Sequence, residues 1–510
     1  MTNARRTTRL TAAIAALALA LAGCAPAVVG PTPTIDASIP TQYQEFYSQQ
    51  VDWSPCGLDE QTFCGDVVVP VDWANPADGT LKLAVAFHKA DSGNPLGSLI
   101  FNPGGPGSSA VPWITDSIDQ LGTAQLRKNF NMVGFDPRGV GSSEPTVECL
   151  SPKDTDRFLY GTADYELGSA ADLKDTRDQL AKFVAACLKN TGPNLAFIDT
   201  VSSAKDLDVI RAVFGDEQIN YLGFSYGTQL GATYAALFPQ RVGRMVLDGA
   251  INPTLSDADQ SLYQLVGFDQ ALKNFLANCL QSADCPFSGS METALVKIQK
   301  FLRGLENSPL PTESGRELTV WAAITGLIMP LYSQSYWPYL SQGFSEGFAG
   351  DGTTLMALAD SYNERAEDGS YGSNLMEANI SISCLDARSP SDAASMAAQN
   401  ERVLEASPVL GRYWQFGALS CEQWPFAVVS HPDDYSAKGS KTIMVVGTTG
   451  DPATPYAQAV SLANEVLENG VLVTFNGEGH TAYGQESKCV NNAVDNYFIK
   501  NVVPTEDPNC

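Results

Sequence analysis

The chain has 510 residues, enough for one large domain with an insertion or for two or three domains of ordinary size. Apolar residues make up 44% of it and charged residues 17%, a globular composition that excludes intrinsic disorder and coiled-coil or collagen-like structures. Its formal net charge of -26 would repel phosphate backbones, so we expect no nucleic-acid partner.

The N-terminal residues have the features of an export signal. Three arginines precede the apolar run 10–21, which is too short to span a bilayer permanently. Residues 21–24 read Leu-Ala-Gly-Cys and resemble the bacterial lipobox, in which cleavage before the cysteine is followed by lipidation. We therefore expect a signal peptide at 1–23, a lipid anchor on Cys24 and a Pro- and Ala-rich tether at 24–45. The protein would lie on the outer face of the cell membrane; an ordinary secretory signal, which would release it, is the alternative.

The other ten cysteines are an even number, and in an oxidising compartment they are expected to form five disulfides. Closeness in the sequence gives the simplest pairing, although it leaves other pairings open. The pairs are Cys56 with Cys64, Cys149 with Cys187, Cys279 with Cys285, Cys384 with Cys421, and Cys489 with Cys510. A metal site is not expected, because no C-x-x-C pair exists and nearby histidines are lacking.

Two segments of alternating strands and helices flank a long middle of different character. In the first segment, strands are predicted at 82–87, 98–101, 131–135, 219–222 and 244–247, and helices at 204–214 and 226–237. In the last, strands are predicted at 442–446 and 471–475, with a helix at 456–467 between them. Strands that alternate with helices predict a mostly parallel sheet that is covered on both faces.

The middle of the chain is predicted to be an inserted domain. Roughly two hundred residues separate Leu247 from Thr442, whereas an ordinary crossover needs a few tens at most. Helical patterns at 262–280 and 291–305 predict that the insertion is mainly helical. The expected boundaries are 46–252 and 426–510 for the sheet domain and 253–425 for the inserted lid.

A serine between a predicted strand and a predicted helix is the candidate nucleophile. Residues 223–227 read Gly-Phe-Ser-Tyr-Gly, a G-x-S-x-G pattern that is typical of a nucleophile elbow in this setting. The glycines permit a tight turn that lifts the hydroxyl of Ser225 clear of the sheet. A passive serine in a glycine-rich turn is the alternative.

A serine hydroxyl needs a base, and the chain has only three histidines. His480 follows the last predicted strand and so lies at the carboxyl edge of the sheet, where catalytic groups gather. His88 and His431 are predicted to be structural or solvated. Asp451, directly after the preceding strand, is predicted to orient His480, and Asp248 is the rival acid.

The glycine loop, Gly-Gly-Pro-Gly at 104–107, follows an early predicted strand. Glycines let backbone N–H groups approach a developing oxyanion, so we expect Gly104 or Gly105, together with Tyr226, to form the oxyanion hole. A surface turn is the alternative. A phosphate-binding role is not expected, because no lysine follows the glycines as a P-loop requires.

These motifs resemble the secreted tripeptidyl aminopeptidase family of Gram-positive, high-GC bacteria, within the proline iminopeptidase branch of the α/β-hydrolases. The chain order Ser225, Asp451, His480 is the α/β-hydrolase order. The matching motifs lie at 104–107, 136–142, 223–227, 450–455 and 479–480. The resemblance extends from about residue 53 to the C-terminus and is weakest in the insertion. Asn102 stands where proline iminopeptidases usually have a histidine, which fits the tripeptidyl branch better.

The resemblance implies an α/β-hydrolase sheet with a large, mainly helical inserted lid. It also implies an exported serine exopeptidase that releases short peptides, tripeptides above all, from free N-termini and needs no metal or organic cofactor. Peptides would be its substrates. Two alternatives are a serine esterase or lipase of the cell envelope and a non-catalytic envelope binding protein.

An insertion that leaves and returns at the carboxyl edge of the sheet is expected to roof Ser225. Burying a free substrate ammonium costs free energy unless the charge is paired, so the roof should present carboxylates. The candidates have apolar or aromatic neighbours and are Asp386, Glu377, Glu346 and Glu422. Asp386 is preferred because a Cys384–Cys421 disulfide would hold it rigid.

Overall fold

The computed structural model describes residues 30–33, 38–162 and 165–510. The expected signal peptide, Cys24 and part of the expected tether lie outside these residues. Within the described residues, no helix combines the length and the hydropathy that crossing a membrane requires.

Strands and helices alternate along the described residues. The strands are β1 (Ser54–Pro55), β2 (Thr62–Pro70), β3 (Thr80–His88), β4 (Ser98–Asn102), β5 (Asn131–Phe135), β6 (Ile219–Phe224), β7 (Val242–Asp248), β8 (Leu310–Pro311), β9 (Glu317–Leu318), β10 (Ile443–Gly450) and β11 (Gly470–Glu478). The α-helices are α1 (Gln44–Tyr47), α2 (Val111–Thr115), α3 (Ala124–Asn129), α4 (Pro152–Tyr160), α5 (Ala170–Asn190), α6 (Thr200–Val213), α7 (Tyr226–Leu237), α8 (Asp257–Cys279), α9 (Met291–Leu305), α10 (Val320–Ile328), α11 (Trp337–Ala349), α12 (Thr353–Tyr362), α13 (Leu375–Asp386), α14 (Ala393–Ala406), α15 (Tyr456–Ser461) and α16 (Lys488–Lys500).

Polar side chains cap the longer helices at their N-termini. Ser169 before α5, Ser256 before α8 and Ser290 before α9 each accept the backbone N–H three residues further on. Asp199 does the same for α6. These bonds satisfy N–H groups that a helix start leaves without an intrahelical partner, which is why the helices begin where they do.

The main sheet runs in the order β1-β2-β3-β5-β4-β6-β7-β10-β11, nine strands within the described residues. From β5 to β11 each neighbouring pair is parallel. At the other end β1, β2 and β3 pair antiparallel with one another, and β3 pairs antiparallel with β5. The predicted mostly parallel sheet is therefore confirmed, with an antiparallel extension that the sequence patterns did not predict.

Both faces of the sheet are buried under helices. On β4, Ile100 packs into one cluster of buried side chains together with helices α6 and α7. Its neighbours Leu99 and Phe101 pack into another cluster, with α2, α3 and α16. This alternation is what successive residues of a strand show when a parallel sheet is covered on both sides.

A separate helical core accounts for most of the predicted insertion. Helices α8 to α12 share a cluster of buried residues that includes Leu272, Phe275 and Phe344. Helix α13, which lies within the predicted boundaries 253–425, packs Ala378 and other apolar residues into the core of the sheet domain.

The folded domain also begins earlier than the predicted boundary at residue 46. Ile39 is buried, and the Tyr43 hydroxyl donates to the backbone oxygen of Trp73 at 2.7 Å. Tyr47 is buried as well, and its hydroxyl donates to Asp208 at 2.8 Å. The end of the expected tether is thus part of the fold, because Ile39 and Tyr43 pack into the core of the sheet domain and the rings of Tyr43 and Trp73 lie 5.4 Å apart.

Five disulfides are formed among the described residues, and they are the five pairs that closeness in sequence predicts. The Cys384–Cys421 bridge joins α13 to the segment that returns to the sheet domain.

We expect all ten of these cysteines to resist alkylation in the folded protein without reductant, because each sulfur is bonded to another. Mass spectrometry after iodoacetamide treatment, with and without reduction in denaturant, measures this directly. Two or more cysteines labelled in the absence of reductant would contradict the five pairs.

Candidate active site

The turn between β6 and α7 holds Ser225 in a strained backbone conformation. Ser225 has φ of 53° and ψ of -124°, a region that residues with side chains seldom adopt and that costs on the order of 1–3 kcal/mol. A side chain at Gly223 would lie 2.4 Å from the backbone oxygen of Gly227, and one at Gly227 would lie 2.6 Å from that of Asn102. The two glycines are therefore required for the elbow to form and pack.

His480 and Asp451 form a buried pair close to this elbow. His480 Nδ1 lies 2.9 Å from both carboxylate oxygens of Asp451, whose side chain is fully buried. Asp451 also accepts the backbone N–H groups of Ala453 and Thr454 at 2.9 Å. These bonds fix the carboxylate, which receives the Nδ1 proton and leaves Nε2 as the basic nitrogen.

The charge balance at His480 favours the imidazolium form. Burial lowers the pKa of His480, but the charge and hydrogen bond of Asp451 raise it by more, so the pKa lies above the usual histidine value. Ser225 and His480 line the same cavity. The arrangement can therefore accept a proton from a serine hydroxyl and hold the resulting positive charge.

Asp248, the rival acid, has a different set of partners. Its buried carboxylate accepts the backbone N–H of Ala482 at 3.0 Å and that of Tyr483 at 2.7 Å. Burial raises the pKa of Asp248 to about 6. Among the described residues it makes no hydrogen bond to His480, so it holds the loop that follows the histidine rather than the histidine itself.

The glycine loop passes directly over the elbow. The N–H of Gly104 donates to Asn102 Oδ1 at 3.0 Å, so it is directed away from any substrate. A Cβ at Gly104 would lie 2.6 Å from the backbone oxygen of Phe224 and 2.9 Å from Cβ of Ser225, so only glycine fits. Gly105 and Ser225 both line each of the two cavities that are described below. Of the two predicted donors, the geometry therefore favours the N–H of Gly105.

The motif at 136–142, for which the sequence suggested no role, supports the glycine loop from behind. Asp136 accepts the Ser109 hydroxyl at 2.6 Å and the N–H of Ala110 at 2.9 Å, immediately after the loop. Two residues later, Arg138 makes a fully buried bidentate pair with Asp206, both bonds being 2.7 Å long. The turn thus ties the loop to helix α6.

The insertion contacts the candidate base directly, which the sequence did not indicate. The backbone oxygen of Tyr332 accepts the N–H of His480 at 2.8 Å, and the two rings meet edge to face at 5.4 Å. Asn274 on α8 donates to the carboxylate of Glu478, two residues before the histidine, at 2.9 Å. The inserted helices therefore roof the site and fix the loop that carries His480. Tyr332 could have been found only from this contact, since aromatic residues are frequent throughout the insertion.

Two cavities meet at Ser225. Both are also lined by Gly105, Tyr332, Tyr362 and Asn379. The larger cavity has a volume of about 990 Å³ and includes His480 in its lining. The smaller cavity has a volume of about 740 Å³ and includes Tyr226.

Two of the four candidate carboxylates reach these cavities. Glu377 lines the larger cavity and accepts the N–H groups of Cys149 at 2.9 Å and Leu150 at 2.7 Å. Asp386 lines the smaller cavity and accepts the N–H of Thr200 at 2.9 Å as well as its hydroxyl.

The other two candidate carboxylates line neither of the two cavities. Glu346 lines neither cavity and accepts a side-chain N–H of Gln342 and the backbone N–H of Thr354. Glu422 also lines neither, and it is paired with Arg177 at 2.6 Å. Sequence neighbours alone do not indicate which helix face turns toward Ser225.

The remaining histidines have partners of their own. His88 Nε2 lies 3.1 Å from Asp59 Oδ2, at the far end of β3. His431 donates from Nε2 to the backbone oxygen of Asp386 at 2.8 Å and lines the smaller cavity. In the part of the chain that the structure describes, no group of three His, Cys, Asp or Glu side chains is placed to hold a metal ion.

Comparison with known proteins matches this chain to a family and to several named relatives. The α/β-hydrolase fold family matches residues 97–487. The chain is 36% identical to serine protease Hip1 of Mycobacterium tuberculosis over 481 residues, covering 91% of each chain. It is 35% identical to carboxylesterase B of the same species, covering 88% of this chain and 86% of that one. It is 30% identical to the tripeptidyl aminopeptidase of Streptomyces lividans, covering 90% and 86%.

We expect Ser225→Ala and His480→Ala each to lower kcat by about a thousandfold or more, because such residues act as one unit. Neither change should alter the fold, since both side chains face the cleft. Steady-state kinetics on a chromogenic substrate, with circular dichroism to check folding, tests this. A variant that folds and keeps most of its turnover would show that the replaced residue is not catalytic.

The choice of acid is tested by a matched pair of isosteric variants. Asp451→Asn should lower kcat severely, because the amide no longer holds the required tautomer of His480. Asp248→Asn should mainly lower the melting temperature, because it weakens the anchoring of 482–483. A mild Asp451→Asn and a crippling Asp248→Asn would reverse the assignment.

Proposed function

The chain belongs to the α/β-hydrolase family, and from that premise we propose that it is an exported, lipid-anchored exopeptidase that releases tripeptides from the free N-termini of peptides. It is a serine hydrolase, and its similarity to serine protease Hip1 and to tripeptidyl aminopeptidase supports peptidase activity. The position of the cut, the free N-terminus and the export are the parts that we propose.

The observation that carries the proposal is the roofed, acidic cleft over Ser225. The insertion reaches the glycine loop, where a Cβ at Gly107 would lie 2.7 Å from the backbone oxygen of Leu375. Asn379 on α13 donates to the backbone oxygen of Pro106 at 3.1 Å. Such a roof admits a chain end more readily than the middle of a folded chain. Among the described residues that line the two cavities there is no lysine or arginine, which suits a cationic N-terminus.

The reaction follows from the placement of the side chains. The Ser225 hydroxyl attacks the scissile carbonyl while Nε2 of His480 takes its proton, and Asp451 stabilises the imidazolium. The N–H groups of Gly105 and Tyr226 hold the oxyanion. The C–N bond then breaks, and the leaving amine takes the proton from His480. Water, deprotonated by His480, hydrolyses the ester on Ser225 and releases the short peptide.

Esterase activity is the second candidate, because carboxylesterase B is nearly as similar to this chain as the serine protease. The same groups would cleave an ester. An esterase for apolar acyl chains would need an apolar slot, whereas Glu377 and Asp386 are set into the walls of the two cavities here. We therefore place the peptidase first.

Export is supported by the five disulfides, which form and persist in oxidising compartments. The lipobox-like residues 21–24 add the expectation of an anchor at the outer face of the membrane.

The unmodified enzyme should cleave a three-residue p-nitroanilide with a free N-terminus at least about tenfold faster, by kcat/KM, than its N-acetyl counterpart. The reason is that a buried ammonium paired with a carboxylate contributes binding energy that an acetyl group does not. The Ser225→Ala variant supplies the background rate. Equal rates on the two substrates would refute the exopeptidase.

Replacement of the lipobox cysteine should move the protein off the membrane. Cys24→Ser removes the thiol that accepts the lipid, so the protein should appear in the medium or accumulate with its signal uncleaved. Fractionation and mass spectrometry of the mature N-terminus follow this. An unmodified Cys24 in mature, membrane-bound protein would exclude a lipoprotein.

A further inference from the structure

We propose that the cleft is divided at Ser225, so that the residues before the cut occupy the smaller cavity and the leaving peptide, which begins after the cut, occupies the larger one. This division rests on the proposed function, because it presupposes a peptide substrate. It adds which of the two cavities binds which part of that substrate.

The division follows from where the proton has to go. His480 must hand its proton to the amine nitrogen of the leaving peptide, so that nitrogen has to lie on the side of His480. Among the described residues, His480 lines the larger cavity and not the smaller one. The leaving peptide is therefore directed into the larger cavity.

The carbonyl oxygen fixes the other half of the substrate. It faces the N–H groups of Gly105 and Tyr226, and Tyr226 lines only the smaller cavity among the described residues. The acyl chain, on the side of the carbonyl carbon away from the leaving nitrogen, then extends into the smaller cavity. Its volume of about 740 Å³ lies within the range typical of small-ligand sites, so the acyl part that it can enclose is short.

Asp386 is the carboxylate that this division assigns to the substrate ammonium. Only 6% of its side chain is exposed, and Thr200 donates to both carboxylate oxygens. Each oxygen retains a further lone pair that can accept an N–H of the ammonium. The nearby His431 directs its Nε2 proton to the backbone oxygen of Asp386 at 2.8 Å, and the same nitrogen lies 3.9 Å from Asp386 Oδ1, beyond hydrogen-bond distance of the carboxylate. Burial raises the pKa of Asp386 to about 7, and a bound cation would favour its ionised form.

Glu377 is then the carboxylate that contacts the leaving peptide. It lies in the wall of the larger cavity together with Glu148. Burial raises the pKa of Glu377, and the charge of Glu148 adds to this effect. A cationic substrate side chain just after the cut would stabilise the ionised forms of both carboxylates. The division therefore implies a preference for lysine over alanine at that position, and for alanine over glutamate.

Two substrate sets separate the two sides of the cut. The first is the pair of three-residue p-nitroanilides, free and N-acetylated, which have no residue after the cut. The second is three hexapeptides that share their first three residues and carry Lys, Ala or Glu as the fourth. The variants are Asp386→Asn and Glu377→Gln, with Glu346→Gln as the matched control on a lid carboxylate that lines neither cavity.

Asp386→Asn should raise KM for the free anilide by about tenfold or more and leave the acetylated one little changed, since one charged hydrogen bond is lost. Glu377→Gln should reduce the preference for lysine over glutamate by about fivefold or more while the ratio between the two anilides stays as in the unmodified enzyme. Glu346→Gln should change neither ratio. Activity on the acetylated anilide shows whether each variant is folded.

The reverse pattern would overturn the division: Glu377→Gln raising KM for the free anilide, or Asp386→Asn abolishing the lysine preference. If Asp386→Asn fails to fold, the Glu377→Gln variant still tests the division. A changed ratio between the rates on the free and acetylated anilides would refute the assignment of Glu377. An unchanged ratio together with a lost preference for lysine would support it. Failure of the proposed function is separate, because it appears as equal rates of the unmodified enzyme on free and acetylated anilides.

Discussion

The positive φ of Ser225 is the constraint on which the rest of the site depends. A serine keeps a φ of 53° only if closely packed neighbours prevent its backbone from relaxing to a common conformation. Here those neighbours are backbone atoms. Gly104, Gly223 and Gly227 let three segments approach within distances that any side chain would prevent. The backbone oxygen of Asp248 accepts the N–H of Ser225 at 2.9 Å and completes the enclosure. Strain of on the order of 1–3 kcal/mol at one residue is thus offset by the packing of the central strands.

Two buried aspartates near His480 illustrate how partners, rather than proximity, determine a role. Asp451 faces the imidazole and two backbone N–H groups, so its charge acts on the histidine. Among the described residues, Asp248 hydrogen-bonds to backbone N–H groups of the loop beyond the histidine and not to the imidazole, although its charge also raises the pKa of His480. The first orients a side chain that must gain and lose a proton, and the second keeps the loop in place while that happens.

The sequence predicted the parts of the structure that local rules govern. Helix α7 and helix α9 have the predicted bounds, because Pro239 follows the first closely and Ser290 caps the second. The elbow was predicted from its strand–turn–helix context, and the His480–Asp451 pair from positions after predicted strands and from the presence of only three histidines. Contacts between distant segments were not predictable: the antiparallel strands at the sheet edge, the burial of α13 under the sheet domain, and the backbone contact of Tyr332 all arise from tertiary packing. Which lid carboxylates face the cleft depends on the same packing.

The contact between Tyr332 and His480 also bears on how such a protein can change over evolutionary time. A lid that merely covered a finished site could be exchanged for another without cost to the chemistry. Here the backbone oxygen of residue 332 and the amide of Asn274 hold the loop of the histidine in position. Any replacement lid must supply a carbonyl and an amide at those two places. The two parts of the chain are therefore expected to diversify together, with new specificities arising by change within the existing lid rather than by transplanting a foreign one.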